Sequence, residues 1–337
     1  MKFKTDYPLL NLNTLHLESY AKYFIELKQT SDLPKIFDLV LATRLPWMVL
    51  GGGSNLILPK HYNGVVIANQ LQGIKLIEQT SDAVYVQAYA GENWDNFVKI
   101  CIDNGWYGLE NLSKIPGVVG ASPIQNIGAY GVEVKDFIDQ VMVYDVEQKQ
   151  TTNFSNSQCN FTYRNSYFKT SHNLVILAVT FKLKITPKLN LTYADLAKRI
   201  EQFTNPTPHD LREIVTEIRA NKLPDPGVIG NVGSFFHNPI IDVEKFNQLH
   251  QKYPNLVSYK VNDNLVKISA GWLIDNLGLK GYNIGDLAVY EKQALVIVNR
   301  GVATQEQVLQ FAKIIQDKVW DNYQIRLNIE PIIVGLK

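Results

Sequence analysis

The sequence is poor in cysteine and lacks a long apolar run. Its 337 residues include only Cys101 and Cys159, which excludes a disulfide framework and fits a reducing compartment. No stretch reaches the roughly 18 apolar residues of a membrane span. The first residues contain no apolar segment followed by a small-residue cleavage site, so no secretory signal is expected. We therefore expect a cytoplasmic protein.

An excess of charge of either sign is also missing. The 33 lysines and arginines balance 32 aspartates and glutamates, for a net charge of +1. This balance gives no reason to expect nucleic acid or an anionic membrane as a partner. The six histidines are scattered, without a His-x-x-x-His or Cys-x-x-Cys pair, so we expect no metal site.

The apolar spacing predicts a mixture of helices and strands. Strand-like runs lie at 46–50, 65–68, 84–89, 140–145 and 174–183. Helical runs lie at about 92–103, 208–221 and 305–320, and one face of an earlier helix is predicted from Ile36, Leu39, Val40 and Leu45. Thr207 before Pro208, and Thr304 with Gln307, are typical of helix starts. The length suits two or three domains.

The first glycine-rich loop, Gly51-Gly52-Gly53-Ser54-Asn55, directly follows a strand-like run. Glycines allow positive φ and bring N–H groups close to an anion, and Ser54 and Asn55 add side-chain donors. Both a diphosphate cradle and a tight turn without a ligand fit this loop. It is neither a Walker loop nor the dinucleotide fingerprint. An ordinary ATPase and an ordinary Rossmann dehydrogenase are therefore disfavoured.

The second glycine-rich stretch covers 108–131 and carries almost no charge. Its glycines stand at 108, 117, 120, 128 and 131, and their density argues against long regular structure. Backbone with small side chains suits contact with a flat ring system such as isoalloxazine, and Tyr130 could pack near the ring. A buried structural loop is the alternative.

Together, these stretches are similar to a known family. GGGSNLIL at 51–58 and IPGVVGASPIQNIGAYG at 115–131 resemble the flavin-binding module of the UDP-N-acetylenolpyruvoylglucosamine reductases. The similarity continues over nearly the whole chain, in FTYRNSYFK at 161–169, IRANKLPDP at 218–226, GNVGSFFHNP at 230–239, AGWLID at 270–275, LKGYNIG at 279–285 and IEP at 329–331. TYADL at 192–196 and AGWLID indicate the longer form, in which a tyrosine loop closes over the nucleotide.

The resemblance implies a vanillyl-alcohol-oxidase-like (PCMH-type) FAD-binding fold. We expect an α+β protein in which a two-subdomain FAD-binding module is joined to a smaller α+β substrate-binding domain. The first subdomain is placed at 1–70 and the second at 71–218, joined by a C-terminal strand at 320–337 that carries Glu330. The substrate domain is placed at 219–319. A monomer is expected.

The resemblance also implies a reaction. NADPH would reduce bound FAD, and UDP-N-acetylglucosamine-enolpyruvate would then be reduced to UDP-N-acetylmuramate, a precursor of peptidoglycan. The small-molecule UDP-sugar would be the partner. Two other hypotheses are another FAD-dependent enzyme of this fold, such as an alcohol oxidase, and a non-catalytic nucleotide-sugar-binding protein. Another FAD-dependent enzyme of this fold would leave Arg219, Lys222 and NVGSFFHNP unexplained.

Three residues match the family's catalytic positions. Arg164 would hold the substrate carboxylate, since a guanidinium fork binds carboxylates bidentately. Ser234 would donate a proton, and Glu330, a carboxylate in an apolar run, would support the enolic intermediate. Without the resemblance, a surface arginine, a turn serine and a salt-bridged carboxylate are the ordinary interpretations.

The remaining predicted site residues bind cofactor or substrate. The residues predicted to contact FAD are Gly51, Gly52, Gly53, Ser54, Asn55, Pro116, Gly117, Gly120, Ser122, Gly128 and Tyr130. The residues predicted to bind substrate are Tyr193, Arg219, Lys222, Asn238, Lys280 and Gln293. His237 is not predicted to be catalytic.

Overall fold

The computed structural model describes residues 2–335 and consists of short strands and helices. The strands are β1 (Lys4–Pro8), β2 (Tyr20–Leu27), β3 (Trp47–Leu50), β4 (Leu56–Ile57), β5 (His61–Asn69), β6 (Ile74–Gln79), β7 (Ala83–Tyr89), β8 (Gly128–Ala129), β9 (Val132–Glu133), β10 (Ile138–Asp145), β11 (Gln150–Ser155), β12 (Leu174–Lys184), β13 (Gly230–Ser234), β14 (Ile240–Asp242), β15 (Ser258–Lys260), β16 (Leu265–Ile268), β17 (Asn283–Ile284), β18 (Leu287–Val289), β19 (Val296–Asn299) and β20 (Ile332–Ile333). The helices are α1 (Leu33–Ala42), α2 (Trp94–Asp103), α3 (Tyr167–Thr170), α4 (Ala194–Ile200), α5 (Pro208–Lys222), α6 (Val243–Lys252), α7 (Ala270–Asn276) and α8 (Gln305–Tyr323). The fold is α+β, as predicted. No helix within residues 2–335 is long and apolar enough to cross a membrane.

The chain divides into two compact units. Unit 1 comprises the segment ending at Tyr7, Lys22–Gly52 and Asn63–Arg219. Unit 2 comprises Pro8–Ala21, Gly53–Tyr62 and the chain from Ala220 onward. The segment after 320 groups with unit 2, where β20 pairs in parallel with β4. The three-part domain division expected from the sequence stays a prediction.

Unit 1 contains two larger sheets, each covered by a helix, and the short two-stranded sheet β8-β9. The larger sheet has the order β11-β10-β12-β7-β6 with antiparallel pairing throughout, and the buried face of α2 packs on it through Phe97 against Phe181. The smaller sheet has the order β1-β2-β5-β3, and β3 pairs in parallel with β5. Ile36 and Val40 of α1 lie in one apolar cluster with Ile67 of β5. This packing fixes the carboxyl end of β3, where the first glycine loop begins.

Unit 2 is organised around the longest helix, α8. Phe311 and Ile315 of α8 lie in one buried cluster with Ile297 of β19. That strand belongs to a sheet of order β13-β19-β18-β17, and β14-β16-β15 forms a second sheet. The helix begins with the predicted capping box, in which Thr304 and Gln307 bond each other's backbone N–H groups.

The predicted helices near 92–103, 208–221 and 305–320 are confirmed as α2, α5 and α8. The predicted helical position of Leu45 is wrong, because α1 ends at Ala42 and Arg44 takes a left-handed φ of 56°. The predicted strand through Glu330 is also interrupted. Ile329 forms an isolated bridge with Phe236, and β20 begins only at Ile332. Pro331 between them has no N–H to donate to a ladder.

Replacing Gly53 by alanine should be more destabilising than replacing Gly278. Both glycines have a positive φ, 61° and 68°, so alanine costs about 1–2 kcal/mol of backbone strain at either position. At position 53 the new Cβ would also lie 1.9 Å from the Leu12 carbonyl oxygen, whereas nothing lies within 4 Å at position 278. Calorimetry should therefore show a clearly lower melting temperature for Gly53→Ala than for the matched control Gly278→Ala. Equal melting temperatures would contradict the contact with Leu12.

Candidate functional site

The first glycine loop touches the second glycine-rich stretch within unit 1. A Cβ at Gly52 would lie 2.7 Å from Cα of Gly117, and a Cβ at Gly51 would lie 2.6 Å from Cγ2 of Val118. Both distances are shorter than any real Cβ contact allows. The absence of a side chain at 52 therefore lets the two loops approach backbone to backbone, and its absence at 51 makes room for the Val118 side chain.

The first two residues of this loop are exposed. Gly51 and Gly52 are exposed, and their amide N–H groups donate no hydrogen bond to any residue between 2 and 335. Consecutive N–H groups on a glycine turn bind anions. This part of the loop therefore fits the phosphates of a dinucleotide such as FAD.

Other predicted FAD contacts serve the packing of the second stretch. A Cβ at Gly120 would lie 2.5 Å from Cβ of Ala90. The buried Ser122 hydroxyl donates to the Val119 carbonyl at 2.7 Å. The structural interpretation of these two residues is thus supported by their contacts, and their role in FAD binding stays a prediction.

Backbone strain is concentrated around the second stretch. Lys114, Asn126, Tyr130 and Arg164 all have positive φ, between 46° and 62°. Each such conformation costs about 1–3 kcal/mol for a residue other than glycine, and it persists only where the surroundings hold it. Strain of this kind is typical of ligand sites.

Asn126 is the fully buried centre of this region. Its Nδ2 donates to Glu133 Oε2 and to the Thr162 carbonyl, both at 3.0 Å. Its Oδ1 accepts from the Lys135 N–H at 3.1 Å. Asparagine adopts a left-handed conformation more readily than most residues, and these three bonds hold it there.

The Arg164 side chain contacts the backbone turn that the Asn126 side chain stabilises. Its Nη2 donates to the Gly128 carbonyl at 2.7 Å, and its Nη1 donates to the Asn126 carbonyl at 3.3 Å. A Cβ at Gly128 would lie 2.9 Å from Nη1, so glycine is required for this contact. The guanidinium is also 5.3 Å from the centre of the Tyr163 ring. A cation with a fixed plane can recognise a carboxylate in one orientation.

A second polar network connects α2, the glycine-rich stretch and α5. Arg212 binds Asp95 through two hydrogen bonds, at 2.7 and 3.0 Å. Asp95 Oδ1 also accepts from the Lys114 N–H at 2.6 Å, and the Lys114 carbonyl accepts from Arg219 Nε at 3.1 Å. Arg219, a predicted substrate residue, is thereby held next to the second stretch.

Tyr130 connects Arg219 to Tyr193. Burial lowers the pKa of the half-buried Arg219, while the charge and hydrogen bond of the Tyr130 side chain oppose this shift. The Tyr130 and Tyr193 rings meet edge to face, with centroids 5.2 Å apart and planes at 83°. Three predicted ligand residues of unit 1 therefore lie together.

In unit 2, Ser234 is placed by a β-bulge. Asn231 pairs with Val298, but Ser234 pairs with Val296, so β13 contains one extra residue. Gly233 has a φ of 71° and lies in the bulge. A bulge re-aims the side chains that follow it, and Ser234 is exposed at the end of the strand.

Glu330 is brought close to His237. The Glu330 N–H donates to the Phe235 carbonyl, and the His237 N–H donates to the Asn328 carbonyl, both at 2.9 Å. The His237 Nδ1 then lies 3.4 Å from Glu330 Oε2, and the two side chains are only 22% and 12% exposed. The sequence did not predict this pair, although histidine beside a catalytic motif is a usable signal.

The other predicted substrate residues of unit 2 make local contacts. Asn238 Oδ1 accepts from the Ala270 N–H at 2.9 Å, at the start of α7. Lys280 pairs with Asp275 at 2.6 Å on the surface. Gln293 Oε1 accepts from the Leu295 N–H at 3.4 Å, and Lys222 is the last residue of α5. Their roles towards a substrate stay predictions.

No three histidine, cysteine, aspartate or glutamate side chains within residues 2–335 are grouped so that they could hold a metal ion. Both cysteines are buried thiols, and burial raises the pKa of each.

Comparison with known proteins identifies both halves of the chain. Residues 21–150 match the FAD binding domain, and residues 225–334 match the C-terminal domain of UDP-N-acetylenolpyruvoylglucosamine reductase. The chain is therefore a flavoprotein oxidoreductase with FAD as its cofactor.

Full-length relatives define the family more closely. A UDP-N-acetylenolpyruvoylglucosamine reductase of Chromobacterium violaceum is 43% identical over 99% of both chains. One of Bdellovibrio bacteriovorus is 44% identical over 98% of this chain and 99% of its own length. The crystal structure of the Thermus caldophilus reductase covers 99% of both chains with a TM-score of 0.70 and 23% identity, which supports the fold. The chain belongs to the UDP-N-acetylenolpyruvoylglucosamine reductase family.

Replacing Asp95 by asparagine should weaken unit 1 in a pH-dependent way. Burial raises the pKa of Asp95, but the hydrogen bonds from Arg212 and Lys114 outweigh burial, so the pKa is lowered. The ionised group therefore contributes stability above its ordinary pKa of about 3.9, and this contribution is lost as the pH falls through the lower folded-state pKa. Asp95→Asn should be about 2 kcal/mol less stable at pH 7, and the difference should shrink as the pH falls below the ordinary pKa of about 3.9.

The control is Asp103→Asn on the same helix. The exposed Lys99 and His209 lower the pKa of Asp103, but water screens such pairs. Thermal unfolding should therefore show little change for this variant at pH 7. A stability difference for Asp95→Asn that stays constant from neutral to acidic pH would rule out the linkage.

Proposed function

We propose that the chain catalyses the NADPH-dependent, FAD-mediated reduction of UDP-N-acetylglucosamine-enolpyruvate to UDP-N-acetylmuramate, a step in peptidoglycan precursor synthesis. The observation that carries this proposal is the full-length likeness to reductases of that name, with an FAD binding domain at 21–150 and the reductase C-terminal domain at 225–334. The two buried cysteines are free thiols, which fits a reducing compartment, and we therefore place the reaction in the cytoplasm. We also expect a monomer.

The reaction saturates one carbon–carbon double bond. FAD, when bound, supplies to C3 of the enolpyruvyl group a hydride that originates from NADPH. Negative charge then develops on C2 and on the adjacent carboxylate, and a proton added at C2 completes the lactyl ether. The protein must therefore hold the carboxylate, stabilise its charge and deliver one proton.

Arg164 is proposed to hold the substrate carboxylate. Its guanidinium stays charged at any physiological pH, and its plane is fixed by the Asn126 and Gly128 carbonyls. Charge developing on the carboxylate is stabilised most by a cation that needs no reorganisation during the reaction.

Ser234 is proposed to give the proton to C2, and Glu330 to stabilise the enolic species. A serine hydroxyl is a weak acid, so it can protonate only a strongly basic carbon such as the C2 carbanion. The bulge before Ser234 exposes its hydroxyl. The Glu330 carboxyl is mostly buried beside His237, which restricts its orientation.

The UDP group is proposed to bind cations and an aromatic ring. Arg219 and Lys222 lie three residues apart near the end of α5, so their charges can act on the same diphosphate. Tyr193 would pack over the nucleotide. Asn238, Lys280 and Gln293 are proposed as sugar, diphosphate or uracil contacts.

The proposal is tested by anaerobic stopped-flow absorbance on the FAD-loaded protein. NADPH should bleach the oxidised flavin band, and UDP-N-acetylglucosamine-enolpyruvate should restore it with formation of the lactyl ether. Flavin that NADPH reduces but that this substrate does not reoxidise would refute the substrate. Reoxidation by oxygen during turnover of an alcohol, without NADPH, would support an alcohol oxidase instead.

Ser234→Ala should separate the two half-reactions. Reduction of flavin by NADPH needs no proton at C2, so its rate should stay within about twofold of the wild type. Reoxidation by the enolpyruvyl substrate should slow by at least ~100-fold, the usual scale for loss of a general acid. The control is Ser171→Ala, whose hydroxyl donates to the neighbouring Tyr167 carbonyl. Unchanged reoxidation in Ser234→Ala would exclude this serine as the donor.

Arg164→Lys should impair the same half-reaction for a geometric reason. A lysine keeps the charge but has no planar fork, so it cannot contact the Asn126 and Gly128 carbonyls and a carboxylate in the same way. We expect reoxidation to slow by about 100-fold or more, with NADPH reduction little changed. Stopped-flow traces that match the wild type would show that charge alone suffices.

A further inference from the structure

We propose that Asn111 is a positioning residue that ties the segment carrying Tyr193 to the flavin-binding stretch. Asn111 is 1% exposed and lies in a short 3₁₀ turn, Glu110–Leu112. The expected effect on substrate binding rests on the proposed function, whereas the expected effect on the Tyr193 segment does not.

The central observation is a pair of hydrogen bonds that one side chain donates to two separate backbone segments. Asn111 Nδ2 donates to the Tyr130 carbonyl and to the Asn190 carbonyl, both at 3.0 Å. A side-chain amide nitrogen has two N–H donors, so each carbonyl takes one. A single buried side chain thus sets the distance between two backbones that lie far apart in sequence.

Two further contacts join the same backbones. A Cβ at Gly131 would lie 2.5 Å from Thr192 Oγ1, so the glycine lets the segments approach closely. The Tyr130 and Tyr193 rings meet at 5.2 Å. The strained Tyr130, with a φ of 50°, is therefore held on both its carbonyl and its ring.

The turn before Tyr193 is fixed internally by Asn190. Its Oδ1 accepts from the Thr192 N–H at 3.1 Å and from the Thr192 hydroxyl at 2.7 Å. Because this turn is internally fixed, the bond from Asn111 to Asn190 also sets the position of Tyr193 relative to the flavin-binding stretch.

The segment 189–193 packs against apolar residues and also borders a cavity. Leu189, Leu191 and Tyr193 lie against the buried cluster of α4 and α5. A cavity of about 360 Å³ is lined by Glu110, Asn111 and the segment 189–192. Where it borders the cavity, the segment has few neighbours to resist local opening. The Asn111 bridge acts alongside this packing as a polar restraint on the segment, and its loss should loosen residues 189–193 without unfolding unit 1.

The consequence for the reaction is specific to one substrate. Tyr193 is proposed to pack over the UDP group, so a loosened segment must be ordered when the UDP-sugar binds. This ordering raises KM for the UDP-sugar. NADPH does not carry that UDP group, and reduction of flavin by NADPH should be unaffected.

The test is hydrogen–deuterium exchange on the FAD-loaded Asn111→Ala variant. Loss of two hydrogen bonds should raise by about tenfold the exchange of the Thr192 amide, which in the segment 189–193 donates to Asn190 Oδ1, while the strands of unit 1 exchange as in the wild type. The matched control is Asn69→Ala. Asn69 is also buried, and its Nδ2 donates to the Ile176 carbonyl at 2.9 Å, so this variant removes a comparable bond away from the Tyr193 segment. Exchange at 189–193 should stay unchanged in Asn69→Ala.

Asn111→Ser is the second variant, since its hydroxyl can replace one of the two donors. We expect an exchange rate at 189–193 between the rates of the wild type and of Asn111→Ala. This milder variant also tests the proposal if the alanine variant fails to fold. In steady-state kinetics, Asn111→Ala should raise KM for UDP-N-acetylglucosamine-enolpyruvate by about tenfold, with kcat and the NADPH half-reaction within about twofold.

Three results would overturn the proposal. These are wild-type exchange at 189–193 in both Asn111 variants, an equal rise in the Asn69 control, and a fall in kcat without a change in KM. If the wild-type flavin is not reoxidised by the UDP-sugar, the proposed function fails, and the exchange measurement still decides the role of Asn111.

Discussion

The side chain of Asn126 holds the turn on which the candidate site of unit 1 depends. It is fully buried, and its three hydrogen bonds keep its backbone left-handed. The carbonyls at 126 and 128 therefore point at the Arg164 guanidinium. The chain then reaches the strained Tyr130, which contacts both Tyr193 and Arg219. One amide side chain thus determines where the Arg164 guanidinium and an aromatic contact are placed.

The glycines of this family motif have two roles, which coincide at Gly52. At 52 and 120 the space that a Cβ would need is occupied by neighbouring protein atoms, Cα of Gly117 and Cβ of Ala90. The N–H groups of the exposed Gly51 and Gly52 instead donate to no residue within 2–335. A substitution at Gly52 would disturb the packing and the proposed anion contact together. Roles in the reaction are therefore better assigned from Arg164 and Ser234, whose side chains can be altered without inserting atoms between two backbones.

The sequence predicted those features whose causes are local. Helices α2 and α8 follow from apolar residues at helical spacing and from caps within three residues. The Asp95–Arg212 and Asn111–Asn190 contacts were not predicted, because their partners are 117 and 79 residues apart and no local pattern specifies such pairs. Family resemblance supplied the candidate residues Arg164, Ser234 and Glu330, but only the fold reveals what orients them. The misplacement of Leu45 has a local cause, the left-handed Arg44, which propensity alone does not reveal.

Backbone pairing, rather than side-chain packing, places the proposed acid groups of unit 2. Ser234 follows an extra residue that Gly233 accommodates with a φ of 71°. Glu330 is fixed by its N–H bond to the Phe235 carbonyl, one residue after Ser234. Because main-chain atoms make these contacts, replacing the Ser234 hydroxyl or the Glu330 carboxyl leaves the backbone supports in place. Kinetic changes in such variants therefore report on the chemistry of the lost group, whereas changes at Gly233 would combine chemistry with a change of register.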